Sequence, residues 1–402
     1  MLTEAQEARR STGAAAASVS ERWAGVVRLA LTDFRNYREA KLALGARLVV
    51  LIGPNGAGKT NLLEALSFLA PGRGLRGARL SEVDRRPAGT AHEIPIEAPG
   101  WAVAAAIATR AGTVRIGTGR DPAEGERRIV RIDGEPARSQ AALGEQLGVV
   151  WLTPQMDRLF VEGAAGRRRF LDRLVLALDP AHATRIGAYE QAMRERARLL
   201  RDGPADPGWL AAVEDVMTAQ GVATAAARRD AVQRLNAVCQ DAEGLFPRAR
   251  LALLGTIENW LDEMPALNAE VKFAAALGDA RRNDALTGTT GTGPHRSDLR
   301  VSLPPTGMAA EFASTGEQKA LLISIVLAHA KLQRALRGEP PLLLLDEIAA
   351  HLDAGRRAAL FEALGRLESQ VWLTGTDEAV FAALRYQAQF LSVWDGTVAT
   401  SF

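Results

Sequence analysis

Hydrophobic and polar positions along the chain fall into period-two stretches, short apolar runs and long helical spacings. Val26–Leu31 reads as a strand, DFRNY at 33–37 as a turn, and Lys41–Leu44 as a second short strand. RLVVLIG at 47–53 is almost continuously apolar, which suits a strand buried on both faces. After GPNGAGKT, residues Leu62, Leu63, Leu66 and Leu69 recur at helical spacing. From Trp101 to Asp133, alternation punctuated by glycine predicts an antiparallel meander. From Arg167 to Gln240 the pattern turns helical, and DGPADPG at 202–208 breaks it into a helical hairpin. Strand-like pieces follow at 249–257 and 270–277, then TGTTGTGP at 287–294 as a flexible loop. FASTGEQKALLIS at 312–324 is a polar turn running into a helix. PPLLLLDE at 340–347 and VWLTGT at 371–376 read as buried strands, and FLSVWDGTVAT as a closing hairpin. Buried strands separated by helices predict an α/β fold with a helical insertion.

Composition narrows the class. The 402 residues are 47% hydrophobic and 24% charged, as in an ordinary globular protein, with a net charge of +2. Any basic surface must therefore be local. Lysine occurs only at 41, 59, 272, 319 and 331, so arginine carries most of the positive charge. Cys239 is the single cysteine, which excludes an internal disulfide framework and fits a reducing compartment. Residues 1–22 are small and polar and lack the apolar core of a signal peptide, so a disordered leader is expected. No apolar run reaches membrane-spanning length, and a cytoplasmic protein without a membrane partner is expected. The histidines at 92, 182, 295, 329 and 351 are scattered, with no zinc spacing.

Chemistry concentrates at three places. Gly53, Gly58, Lys59 and Thr60 match G-x-x-x-x-G-K-[ST] between a strand and a helix. Such a loop (Gly53, Pro54, Asn55, Gly56, Ala57, Gly58, Lys59, Thr60 and Asn61) curls its N–H groups around phosphate oxygens. Lys59 would neutralise ATP phosphate charge and Thr60 would ligate Mg²⁺. In LLLLDE, Asp346 ends a buried strand, where a carboxylate needs a partner such as Mg²⁺. Glu347 could orient or deprotonate an attacking water. Ser314 and Glu317 have capping-box spacing. The same turn, with Ser314, Gly316 and Gln318, could equally present a hydroxyl and N–H groups to an anion. Arginine groups at 167–169 with Arg173, at 194, 196, 198 and 201, at 228–229 and at 281–282 read either as solvated helix faces or as phosphate contacts.

STGEQKALL resembles the ABC-type ATPase signature, with Thr315 and Glu317 departing from its usual Ser-Gly-Gly-Gln. By that resemblance Asp353 falls at the D-loop, and Thr374 and Thr376 fall near the usual switch histidine. Lys59 and Asp346 stand far apart with a helical block between them, as in the SMC-like ATPases. LTDFRNYREAKL, PGRGLRGARLSEV, RRRFLDRLVLALDP and GPHRSDL together resemble the RecF family. The resemblance covers nearly the whole chain from about residue 26. It implies an ABC-type ATPase head at 23–165 and 286–402 with a helical arm at 166–285. It further implies an ATP-dependent homodimer on double-stranded or gapped DNA at single-strand/double-strand junctions, RecR and RecO as partners, recombinase loading, and slow hydrolysis that releases the clamp. Arg35 and Asn36 would lie near the base or ribose, and Gln155 would serve as a ligand to Mg²⁺ and water. A nucleotide-gated interaction protein with negligible turnover is the alternative.

Overall fold

The computed structural model describes residues 23–85, 100–203, 206–240 and 244–400. The leader expected at 1–22, and His92, lie outside them. Two compact units are formed, one from residues up to 154 together with those from 333 onward, the other from 155 to 332.

In the first unit, β1 (Gly25–Phe34) and β2 (Tyr37–Ala43) form a hairpin around the DFRNY turn, where Asp33 and Arg35 have φ of 46° and 55°. Next come β3 (Leu48–Ile52) and α1 (Lys59–Ser67). The meander is β4 (Trp101–Thr109), β5 (Gly112–Arg120), β6 (Arg128–Ile132) and the short β7 (Glu135–Pro136). With the first hairpin it makes one antiparallel sheet in the order β2-β1-β4-β5-β6-β7. Phe34, Phe68 and Trp101 meet edge-on or tilted, with centroids 4.8–6.0 Å apart, and pack this sheet against the end of α1. After α2 (Ala141–Gln146), β8 (Val149–Leu152) enters the second sheet.

The second unit contains α3 (Ala164–Leu178), α4 (His182–Arg201), α5 (Pro207–Gln240), β9 (Arg250–Leu254), α6 (Thr256–Glu263), α7 (Ala266–Thr287) and β10 (Asp298–Ser302). The α4–α5 hairpin buries Tyr189, Met217 and Val222 against Ile257, Phe273 and Leu277. Residues 270–277 are helical, contrary to the strand expected there. Ala269, Phe273 and Leu277 recur every four residues on the buried face of α7, a period that a short window reads as alternation. The compact units part after 154 and 332 rather than at 165 and 285, because α3 and β10 pack together and keep the 286–332 segment with the helices.

Helix α8 (Thr315–Arg337) spans the later boundary. The first unit is completed by β11 (Leu342–Leu345), α9 (Ala354–Arg366), β12 (Val371–Gly375), β13 (Ala388–Trp394) and β14 (Thr397–Thr400). Its second sheet runs β14-β13-β3-β12-β11-β8, parallel except for the final hairpin. The apolar runs of β3 and β11 are buried because they occupy central positions. VVWL of β8 was not anticipated as a strand; its four residues pair in register with Leu342–Leu345.

Candidate nucleotide site

The loop after β3 owes its shape to three glycines. A Cβ on Gly53 would stand 2.1 Å from the Val393 carbonyl oxygen, so only glycine lets β13 approach. Gly56 and Gly58 have φ of 82° and 116°, which curls the backbone before α1. No side chain caps the first turn of α1, so its N–H groups can receive an anion. Lys59 folds back over the loop, and its Nζ donates to the Gly53 and Pro54 carbonyls at 2.7 and 2.9 Å. Burial lowers its pKa, and the Glu347 and Asp346 carboxylates oppose that shift.

Parallel pairing brings Asp346, at the end of β11, beside this loop. Its carboxylate is buried and accepts from the Thr60 hydroxyl at 3.0 Å and the Thr374 hydroxyl at 2.8 Å. Burial raises its pKa above the ordinary value, and the two hydroxyls only partly offset this. The Glu347 N–H donates to the Thr374 hydroxyl at 2.8 Å, and Glu347 itself holds φ at 51°, a left-handed conformation uncommon for a long side chain such as glutamate. Thr374 thus ties both acids to the end of β12, a role that its position alone left open. Thr376 is exposed. A threonine hydroxyl beside a buried carboxylate that is partnered by hydroxyls is a hard oxygen set, and it fits Mg²⁺.

Around the loop, DFRNY acts as a brace. Asn36 Nδ2 donates to the Ala57 carbonyl at 3.1 Å, and its Oδ1 accepts from Asn61 at 2.7 Å. The Tyr37 hydroxyl donates to the Gly58 carbonyl at 3.0 Å. Arg35 grips the fully buried Glu64 of α1 through two bonds of 2.8 and 2.7 Å, and Arg76 of the GRGLR stretch pairs with the same carboxylate. Arg35 and Asn36 therefore hold the phosphate loop and its helix from behind. These bonds place both residues directly behind the phosphate loop.

Asp353 caps α9, accepting from the Arg356 N–H at 2.8 Å. In the other unit, Ser314 and Glu317 close a capping box. The Ser314 N–H and hydroxyl donate to Glu317 Oε2 at 2.9 and 2.7 Å, and the Glu317 N–H donates to Ser314 Oγ at 3.3 Å. Ser314 is exposed and Gly316 half-buried, while Gln318 is buried with its amide on the Ala313 carbonyl at 2.9 Å. Gln318 shapes the turn from within. Gln155 is exposed on the short turn after β8.

Several arginines read as surface charges are interior. Arg196 is fully buried and bonds Glu214, Asp284, Thr290 and the Leu277 carbonyl. Arg228 is buried on Asp172 and the Pro294 carbonyl, Arg167 pairs with Asp298, and Arg168 donates to the Ser297 carbonyl. A side chain with no exposed surface cannot reach a DNA phosphate, so Arg196 leaves the set of possible contacts. The i, i+3, i+4 spacing of charges gave no warning, because it is the same for a solvated face and for a buried network.

Residues 25–397 match the model of the RecF/RecN/SMC N-terminal domain family. The chain belongs to the RecF family. It is 49% identical to the DNA replication and repair protein RecF of Rhizobium rhizogenes over 94% of this chain and 98% of that one. Identity to the Mesorhizobium japonicum RecF is 50%, over 93% and 97% of the two chains. A solved structure of the recombination mediator protein RecF with ATPrS in the RecFOR pathway superposes with a TM-score of 0.81, at 19% identity, over 94% and 99% of the chains. RecF with ATP gives a TM-score of 0.80 at 20% identity, over 95% and 98%. The RecF-family chain thus has the ABC-type ATPase head fold of the SMC class, with a mixed sheet, an antiparallel sheet and inserted helices. Among its described residues no helix is long and apolar enough to cross a membrane.

Proposed function

We propose that the chain is an ATP-dependent DNA-binding clamp of recombinational repair and replication. The observation that carries the reading is the convergence of Thr60, Asp346, Thr374 and Glu347 beside the Gly53–Thr60 loop. The loop N–H groups and Lys59 bind the ATP phosphates, and Lys59 exchanges the Gly53 and Pro54 carbonyls for phosphate oxygens. Thr60 and Asp346 are the residues that would hold Mg²⁺, which when bound neutralises phosphate charge. Glu347 orients a water and takes its proton as the water oxygen attacks the γ-phosphorus and the bond to ADP breaks.

The Ser314–Gln318 turn, with Asp353, serves the phosphates bound by a second copy, so ATP joins two copies around double-stranded or gapped DNA at single-strand/double-strand junctions. The family's names and the uncapped N–H groups at the start of α1 support this reading. RecR and RecO are the partners through which the clamp supports recombinase loading, and slow, DNA-stimulated hydrolysis releases it. Gln155 is retained as a candidate ligand to Mg²⁺ and water.

Sedimentation velocity of wild type and Glu347→Gln, with ATP and with or without gapped duplex, tests this. The variant should accumulate as an ATP-dependent dimer on DNA. An oligomeric state that ignores ATP in both proteins overturns the shared site.

A further inference from the structure

The outward face of the antiparallel sheet carries an open groove of about 740 Å³ that the nucleotide site does not use. Its floor lies over β4, where Ala102, Ala104 and Ala106 all point outward. Alanine is a poor strand former and packs nothing on that face, so the sheet itself gains little from three in succession. The neighbouring Gly117 is also not demanded by the fold. A Cβ there would meet only the Arg131 Cβ, at 3.9 Å, and its φ is not positive. What these residues share is that they keep the floor low and apolar.

Cations border the floor in register. One cross-strand row reads Lys41–Ala30–Ala104–Gly117–Arg131 over five strands. The next reads Ala43–Arg28–Ala106–Arg115. Arg28 and Arg115 therefore flank Ala106 from two strands apart, about 10 Å, which is the width of an α-helix with its side chains. Lys41 and Arg131 stand one strand further out on either side, and all four cations are exposed. Against a whole-chain charge of +2, this is a local excess. Two acids interrupt it: Glu39 pairs with Lys41, and Asp133 lies 3.9 Å from Arg115.

We infer that this groove docks an acidic amphipathic helix of a partner protein, with small apolar side chains on the Ala104–Ala106 floor and carboxylates toward Arg28, Arg115 and Arg131. An apolar floor between cationic walls complements such a helix on both counts. A nucleic-acid duplex complements only the walls, and its uniform charge would also meet Glu39 and Asp133. A helix can place its carboxylates to avoid them.

The test uses the full chain and a fluorescein-labelled 18-residue Leu/Ala/Glu peptide with apolar residues at i, i+3, i+4 and i+7, read by anisotropy. A scrambled peptide of the same composition and a duplex DNA are the comparisons. Binding of the amphipathic peptide at micromolar concentration is expected. Ala104→Trp, which fills the floor, and the double change Arg28→Glu with Arg131→Glu should each weaken it at least ~10-fold. A Lys-for-Glu version of the peptide should regain binding to the charge-reversed protein. Ala106→Trp serves as a second filled floor should Ala104→Trp melt early. Equal binding of the scrambled peptide, indifference to both filled floors, or no binding up to about 1 mM overturns the proposal. Loss of duplex binding alone in the charge-reversed protein also overturns it, in favour of a nucleic-acid face.

Discussion

Glu214 and Asp172 of the helical unit and Asp346 beside the phosphate loop answer burial in opposite ways. In the helical unit, burial pushes the Glu214 and Asp172 carboxyls up, yet their partners win. Arg281 and Arg196 hold Glu214 below its ordinary value, and His182 and Arg228 do the same for Asp172. Asp346, beside the phosphate loop, has hydroxyl partners, and burial wins there. Glu258 shows that the sign follows the partner rather than the region. It lies in the helical unit, but its partner is the Ser297 hydroxyl at 2.6 Å, and burial raises its pKa. Where cations compensate a buried acid, the charge maintains the fold. At Asp346, where they do not, a bound cation would satisfy the charge.

This contrast can be broken most directly at Asp346. Asp346→Asn should lower ATP hydrolysis by about 10³-fold or more, since under the proposed function it removes both a Mg²⁺ ligand and the charge beside Glu347. The same change should leave the nucleotide-free protein as stable or more stable in thermal melts, because an uncompensated buried charge is gone. Reduced stability would show that Asp346 is structural. Arg196→Leu is the opposite case. Removing Arg196 strands Asp284 and leaves Glu214 with Arg281 alone, so a loss of about 3–5 kcal/mol in urea unfolding is expected, with nucleotide affinity unchanged in whatever protein remains folded.

A smaller effect is expected at the brace. Arg35→Ala leaves buried Glu64 with Arg76 alone and should cost about 1–3 kcal/mol, together with weaker ATP binding by equilibrium titration. Thr374→Val removes the hydroxyl shared by Asp346 and Glu347 and should slow hydrolysis about 10-fold with little change in ATP affinity.

Acidity separates the two kinds of site by sign. Glu214 and Asp172 have depressed values, so their stabilisation is complete above the ordinary carboxylate range and is lost as pH falls through the depressed values. Asp346 has a raised value, so without nucleotide its contribution declines as pH rises from 3.8 through that value. Asp346→Asn should therefore flatten the second dependence and leave the acid loss intact in pH-resolved melts. Arg194, exposed and 3.8 Å from Glu190, should tolerate Ala with no measurable change in melting temperature.

Much of the nucleotide site was legible in the chain itself. The G-x-x-x-x-G-K-T spacing, the continuous apolar strands and the strand-end Asp-Glu encode local geometry and burial, and both are properties of short windows. The same locality explains the misreading of 270–277, where Ala269, Phe273 and Leu277 on one helix face are read as part of an alternation. The β8 run was hidden for another reason: four residues are a strand only when Leu342–Leu345 lies beside them.

The residue types and spacings alone determined that a phosphate loop, a pair of acids and an inserted helical block are present. Tertiary structure decided which polar groups face one another. It set Arg35 on Glu64, Arg196 in the interior instead of on a helix surface, and Thr374 between the two acids. The reason is that hydrogen bonds and ion pairs between groups hundreds of residues apart depend on how strands are ordered in a sheet and helices packed beside it. The periodicity of a sequence carries the direction of a side chain from its own element, but not the identity of what it meets.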